Sequence, residues 1–242
     1  MTQNTAISVL NKRLTLNHLP NGFKTSMDSV LLASACPIQP KQSLLDLGCG
    51  VGGAGLCVLA RVPEVELTGI DIQADQIDLA EENAAGNNFA EKCEFLCSDI
   101  REYKNQYAFD HVIMNPPYLN KGAHLKSPHP EKSAAMGHDD ATLEEWMKTA
   151  HYSLKSKGSL TIIHRADQID HVLALLDKKF GATEIIPLWP KQGTAAKRVI
   201  IRTFKDRYSP ATLHAGLTLH DEEGDYTIET NRILKDIGGL YL

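Results

Sequence analysis

No apolar run in this 242-residue chain approaches the ~20 residues needed to cross a bilayer, which excludes a membrane-spanning helix. Met1-Thr2-Gln3-Asn4 carries neither a basic region nor an apolar stretch, so no signal peptide is expected and the expected compartment is the cytoplasm. Cysteine is scarce and odd in number. Cys36, Cys49, Cys57, Cys93 and Cys97 contain no CxxC pair, so neither a structural zinc site nor any other metal is expected. Cys93 and Cys97 share one face of a strand candidate and are expected to be small core residues. Internal repeats and low-complexity tracts are also missing, which excludes solenoids and disordered linkers.

What remains is ordinary globular composition, 43% hydrophobic and 23% charged, with enough length for one sizeable core. The net charge of −5 is unevenly spread. Through Asn120 there are 8 Lys and Arg against 14 Asp and Glu, whereas the remainder holds 17 against 16. Residues 187–208 alone carry six cations against Asp206, and Lys121, His124, Lys126, His129 and Lys132 form a second group. Basic clusters on a weakly acidic chain point to an anionic partner at one locality, with an ordinary solvated face as the alternative.

The opening segment alternates around Leu14-Thr15-Leu16 and holds Asn21-Gly22, a hairpin signal, before a helix-like run from Asp28 to Ala33. Strand candidates then follow at 43–47, 66–70, 93–97, 110–114 and 159–164, separated by helical stretches at 54–60, 75–85, 143–154 and 168–179. That alternation predicts a doubly wound α/β fold with a mainly parallel sheet. Strand candidates 183–188 and 198–204 follow without a helix between them, so the sheet of seven strands should contain one antiparallel strand. The expected organisation is a hairpin and helix over 1–37, a ligand-binding α/β domain over 38–208, and a short extension over 209–242.

The first strand of that region runs into Gly48-Cys49-Gly50-Val51-Gly52-Gly53. Glycines there let the backbone approach a nucleotide-like ligand closely. Gly48, Gly50 and Gly53 with Asp71 also satisfy a dinucleotide fingerprint, so the loop by itself does not separate NAD from S-adenosylmethionine. Two features favour the methyl donor. Asp46 puts a negative charge where a pyrophosphate would approach but a cationic methionine end would be welcome. Asp99 follows the third strand as Asp71 follows the second, and two carboxylates suit a ligand presenting ribose hydroxyls and an adenine amino group. Each Asp could instead cap a helix.

The most specific segment is Asn115-Pro116-Pro117-Tyr118, at the end of a strand. An amino nitrogen conjugated to a planar group has a delocalised lone pair and is hard to methylate. The Asn115 side-chain carbonyl and the Pro116 backbone carbonyl can accept from its two N–H groups, and the prolines fix the backbone that aims them. Tyr118 offers a face for a flipped base.

In that order these motifs resemble the class I Rossmann-like methyltransferases of the small amino-methyltransferase group, over roughly residues 24–205. The run Thr25-Ser26-Met27-Asp28-Ser29-Val30-Leu31-Leu32 resembles, more narrowly, the bacterial valine-tRNA adenine-N6 methyltransferase family. The resemblance implies S-adenosyl-L-methionine as donor, with Asp28 helping to close its pocket. It further implies donor contacts from Asp46, Gly48, Gly50, Gly52, Asp71, Ile72, Asp99, Ile100 and Asn115, and target contacts from Asn115 to Tyr118. The cysteine at 49 departs from the alanine or threonine common in such loops, and the chain after Pro210 extends beyond the family's core pattern.

The Asn-Pro-Pro-Tyr motif is shared by enzymes acting on adenine N6, guanine N2 and glutamine amide nitrogen. Only about 40 residues precede the first strand of the alternating region, too few for the helical domain of the glutamine enzymes, and there is little room for a DNA target-recognition domain. The expected partner is therefore RNA, within that class a tRNA, with Lys126, Arg165, Lys197 and Arg198 as phosphate contacts. The alternatives are a ribosomal RNA guanine-N2 enzyme, a protein glutamine-N5 enzyme, or a non-catalytic donor-binding scaffold. A monomer or a homodimer is equally compatible with the sequence.

Overall fold

The structure, a computed structural model, describes residues 5–20, 24–118, 141–236 and 238–240. Its centre is one sheet built from β3 (Ser43–Leu47), β4 (Glu66–Asp71), β5 (Cys93–Cys97), β6 (Phe109–Met114), β7 (Leu154–Arg165), β8 (Phe180–Trp189) and β9 (Arg198–Lys205). These seven run in the order β8-β9-β7-β6-β3-β4-β5, all parallel except β9, which is antiparallel to both β7 and β8. The seven-strand expectation falls short by two. The short strands β10 (Thr212–Leu213) and β11 (Leu217–Thr218) pair in parallel with the outer edge of β8 and extend the sheet to nine.

Both faces of the central strands are buried, as parallel strands with helical crossovers require. On one face Leu44, Ile113, Ile163 and Ile200 join Leu56 and Leu59 of α2 (Gly53–Arg61) and Leu31 of α1 (Met27–Ala35). On the other, Leu45, Val112, Ile162 and Ile201 join Trp146 and Met147 of α4 (Leu143–Ser153) and Val172 of α5 (Ile169–Leu176). The period-2 alternation of apolar side chains thus feeds two cores. The helix between β4 and β5, α3 (Ala74–Gly86), packs on the first of these faces through Ile77, Ala80 and Ala84. Helix α4 starts where the sequence says it should. Thr142 and Glu145 form a reciprocal capping box, with the Thr142 N–H donating to the Glu145 carboxylate at 2.7 Å.

The N-terminal hairpin pairs β1 (Thr5–Val9) with β2 (Leu14–His18). Its turn is Leu10–Arg13, with Leu10, Asn11 and Lys12 at positive φ; the Asn21-Gly22 signal lies outside the described residues. Asn83 of α3 and Asn87, its C-cap, take the place of a second partner strand for β2. Asn83 and Asn87 each exchange both hydrogen bonds with the backbone, at Asn17 and Thr15 respectively, over 2.8–3.1 Å. A carboxamide carries the same donor and acceptor as a peptide, so the strand edge is satisfied by side chains.

Cys97 corrects one expectation. It is exposed and Cys93 only half-buried, and β5, which carries both, is the edge strand of the sheet. The last helix, α6 (Ile228–Lys235), lies on the first core: Leu217, Leu219, Ile233 and Leu240 are all buried there.

Candidate active site

The carboxyl ends of β3, β4, β5, β6 and β7 share one edge of the sheet, and the chain reverses between β3 and β6. Ligands of such sheets bind at that reversal. The edge gathers Gly48, Asp71, Asp99, Asn115 and Arg165 from five strand ends. Antiparallel β9 begins at the same edge, so Arg198 faces Arg165 in register.

Between β3 and α2 the loop turns on three glycines at positive φ, Gly48 (68°), Gly50 (52°) and Gly52 (81°). A side chain on Gly48 would sit 2.3 Å from the Trp146 indole, so the loop rests flat on α4. A side chain on Gly53 would meet Thr25 just as closely. Thr25 is held in turn by His18, whose Nε2 accepts from the Thr25 N–H at 2.9 Å. In front of Gly50 the space is open, the nearest atom being Gln76 Oε1 at 3.9 Å. This is backbone freed for close approach to a ligand.

Two carboxylates support the loop. Asp46 is buried and accepts from Gly55 N–H at 2.9 Å; burial pushes its carboxyl up to about 7. Asp71 accepts from Gly50 N–H at 2.9 Å and from Gln73 N–H at 3.0 Å, and burial raises its carboxyl as well. Beside it Ile72 is 62% exposed, a large apolar side chain presented at a polar edge, while Ile100 is buried. The Asp99 carboxylate is held by the Arg101 guanidinium and backbone N–H, and the guanidinium bond keeps its pKa low.

Asn115 directly follows β6 and is half-buried, with Pro116 buried behind it and Pro117 exposed. Tyr118 folds back so that its O–H donates to Asn115 Oδ1 at 3.0 Å and lies 3.4 Å from Asp28 Oδ2. Burial pushes the phenol up to about 12, so it stays protonated. The Tyr118 ring meets His164 edge-on at 5.1 Å, and Arg198 lies over it at 5.0 Å while donating to Asp28 at 3.0 Å. His164 is 5% exposed and burial lowers its pKa, leaving it neutral at pH 7; its Nδ1 has no hydrogen-bond partner among the described residues.

The expected phosphate contacts separate. Lys126 lies outside the described residues. Arg165 forms a bidentate pair with Asp167, Arg198 is engaged by Asp28 and Tyr118, and Lys197 is exposed. Of the other cations in 187–208, Lys205 is buried on the His151 and Leu154 carbonyls, Arg202 pairs with Glu184 and Lys191 donates to Glu222 O. Half of the basic cluster, Arg198, Arg202 and Lys205, is thus spent on internal partners, whereas Lys191, Lys197 and Arg207 are exposed. Sequence reasoning did not find His18, Asn83, Asn87 or Trp146. Their partners are 7 to about 100 residues away, and no local pattern marks them.

Several curated relatives cover nearly the whole chain. The tRNA1(Val) (adenine(37)-N6)-methyltransferase of Bacteroides thetaiotaomicron is 29% identical over 78% of this chain and 80% of its own. The enzymes of the same name from Actinobacillus succinogenes and Vibrio campbellii are 26% and 22% identical, covering 93% and 88% of this chain and 94% and 88% of theirs. Among solved structures, a predicted O-methyltransferase from Agrobacterium tumefaciens superposes with a TM-score of 0.74 at 25% identity, over 88% of this chain and 98% of that one. A tRNA (m1A58) methyltransferase from Aquifex aeolicus shares the fold at a TM-score of 0.57 and 14% identity, over 79% of this chain and 73% of its own. The sequence pattern of the methyltransferase small domain matches residues 14–188, from β2 through β8, and so takes in the glycine loop and the whole Asn115–Tyr118 segment. With that match across most of its length, the chain belongs to the methyltransferase small domain family.

Proposed function

We propose that this methyltransferase takes its methyl group from S-adenosyl-L-methionine and transfers it to the exocyclic amino nitrogen of a nucleobase, adenine N6 of a tRNA. When bound, the donor supplies a sulfonium methyl group as electrophile. The residues present fit it. Open space in front of Gly50 admits a ligand against backbone, Asp71 keeps lone pairs for ribose hydroxyls, and exposed Ile72 offers an apolar plate for a purine. Gly48 and Gly52 shape the turn, and buried Asp46 stands behind the loop. Asp99, with Ile100 packed behind it, has acceptor capacity left for an amino group even with Arg101 bound.

The observation that carries the reading is Asn115 Oδ1, fixed by the Tyr118 O–H at the sheet's reversal point. That oxygen has a second lone pair for a substrate N–H, and the Pro116 carbonyl can take the other. Two acceptors on one nitrogen favour a pyramidal geometry with the lone pair directed at the electrophile. Such an arrangement suits a nitrogen with two N–H groups better than an alcohol oxygen, which favours N-methylation over the acceptor named for the Agrobacterium protein. The names of the curated relatives support adenine in a tRNA. Lys197, exposed beside the site, and Lys126 are the phosphate contacts we favour, and Arg165 would contribute only if Asp167 released it.

The test is incubation with labelled donor and undermodified total RNA, DNA or ribosomes, followed by nucleoside and amino-acid analysis. Label in N6-methyladenosine of tRNA is expected. Label in guanine, in glutamine, or in no acceptor would overturn the tRNA adenine reading.

A further inference from the structure

Tyr118 has one phenolic proton and two acceptors within reach, Asn115 Oδ1 at 3.0 Å and Asp28 Oδ2 at 3.4 Å. An ionised carboxylate is intrinsically the stronger acceptor, because charge-assisted hydrogen bonds are roughly twice as strong as neutral ones. An Asp28 without compensation should therefore win the proton and leave the Asn115 carboxamide without its anchor. The geometry shows the neutral acceptor closer. Arg198 supplies the reason. Its Nε donates to the same Asp28 Oδ2 at 3.0 Å, while its guanidinium lies over the Tyr118 ring at 5.0 Å. The cation satisfies the carboxylate and holds the ring plane, and His164 closes the ring's surroundings edge-on.

We propose that Arg198 is a positioning residue for methyl transfer: by neutralising Asp28 and bracing Tyr118, it steers the phenolic proton onto Asn115 and so fixes the carbonyl that receives the acceptor amine. The inference rests on the amine-acceptor reading of Asn115 above. It assigns Arg198 to the reacting centre and not to the RNA backbone. It also explains why a cation at the start of β9 is only about one-third exposed at an edge that should greet a polyanion. Asp28 is the element's other half, brought by α1 from a position 170 residues distant in the chain.

The experiment compares methyl transfer by wild type, Arg198→Ala, Arg198→Lys, Asp28→Ala and the double variant Asp28→Ala/Arg198→Ala. Melting temperature and calorimetric donor affinity are recorded alongside. Arg198→Ala should lower kcat about 10- to 100-fold, the scale of a small misplacement of a reacting group, with KM for RNA within about twofold of wild type. Arg198→Lys, which keeps a cation near Asp28, should recover part of that loss. The double variant should recover more, because the competing acceptor is gone and Tyr118 can return to Asn115. A double variant no faster than Arg198→Ala would overturn the proposal, since a purely structural brace predicts that. So would wild-type kcat in Arg198→Ala with a log–log salt slope of RNA binding shallower by ~0.7–0.9, the mark of a lost phosphate contact. Should Arg198→Ala not fold, Arg198→Lys decides: a kcat below wild type with KM for RNA unchanged supports the steering role, and wild-type kcat or a loss confined to KM overturns it. If wild type methylates some other acceptor, the tRNA reading fails, while the same kcat comparison on that acceptor still decides the role of Arg198.

Discussion

In the proposed reaction Asn115 and Asp71, at the ends of the two strands that flank β3, serve different halves, and their removal should separate binding from chemistry. Asp71→Ala loses a charged acceptor for the donor, worth roughly 1.5–3 kcal/mol of affinity. Asn115→Ala should keep donor affinity near wild type and cut turnover by about 10²–10³, as losing an oxyanion-hole group does. Calorimetry and single-turnover kinetics on the two variants check the crossing, and equal loss of both properties in either variant would show a supporting role only. Asp46 makes a prediction about pH. Its folded-state carboxyl titrates near 7 against an unfolded value of about 3.9, so the folded state holds the proton more tightly. Stability from that proton is present below about pH 4 and is lost as pH rises through about 7. Asp46→Asn keeps an oxygen for the Gly55 N–H, and its melting temperature should gain on wild type progressively between pH 4 and 8. The difference between the two curves cancels other titrating groups. A variant less stable than wild type at pH 8 would mean that Asp46 is ionised and well hosted.

At the scale of elements, the glycine loop depends on a helix that begins 95 residues later. Gly48 at φ 68° lies against the Trp146 indole of α4, with 2.3 Å to any added Cβ. Gly48→Ala should cost about 2–4 kcal/mol in stability, combining left-handed strain with overpacking. Trp146→Leu should relieve the steric part but not the strain, so the double variant should be more stable than the sum of the single effects predicts. Strict additivity in urea denaturation would show that the loop and helix do not press on one another. The strands, helices and their order were legible because each follows from apolar periodicity and punctuation by Gly, Pro and caps. The hairpin turn was not. Leu10, Asn11 and Lys12 take positive φ without a glycine or proline to mark the turn, and β2 docks on Asn83 and Asn87, far along the chain.

For the molecule as a whole, the segment after Pro210 has no role legible in sequence and is integral in structure. Strands β10 and β11 cover the edge of β8, and the Leu240 N–H donates to Ser34 O of α1 at 2.9 Å. Arg61 of α2 donates to the Ile233 and Gly238 carbonyls. Leu217, Leu219, Ile233 and Leu240 together bury apolar surface worth on the order of 6–12 kcal/mol, comparable with the 5–15 kcal/mol that keeps a domain folded. Deleting residues 211–242 should therefore leave no cooperative thermal transition and expose β8 to edge-to-edge aggregation. Retention of a sharp transition within a few degrees of the full chain would show that the tail only decorates the core.

Local chemistry was enough to read the α/β order, the single antiparallel strand, the glycine loop and the Asn115–Tyr118 segment, because each is written in contiguous residues with one dominant physical constraint. Charge was the poorest guide. A cluster of six cations between 187 and 208 reads as an anion-binding surface, yet Lys205, Arg202 and Arg198 each find an oxygen on another element. Contiguous residues were enough to place the seven central strands and the motif that stands at the sheet's reversal. Which charges face solvent and which are spent on Asp28, Glu184 or a helix end was settled by the packing of distant elements. Charge pairing depends on through-space distances of a few ångströms between residues as far apart as 28 and 198, and those distances exist only once the sheet has closed.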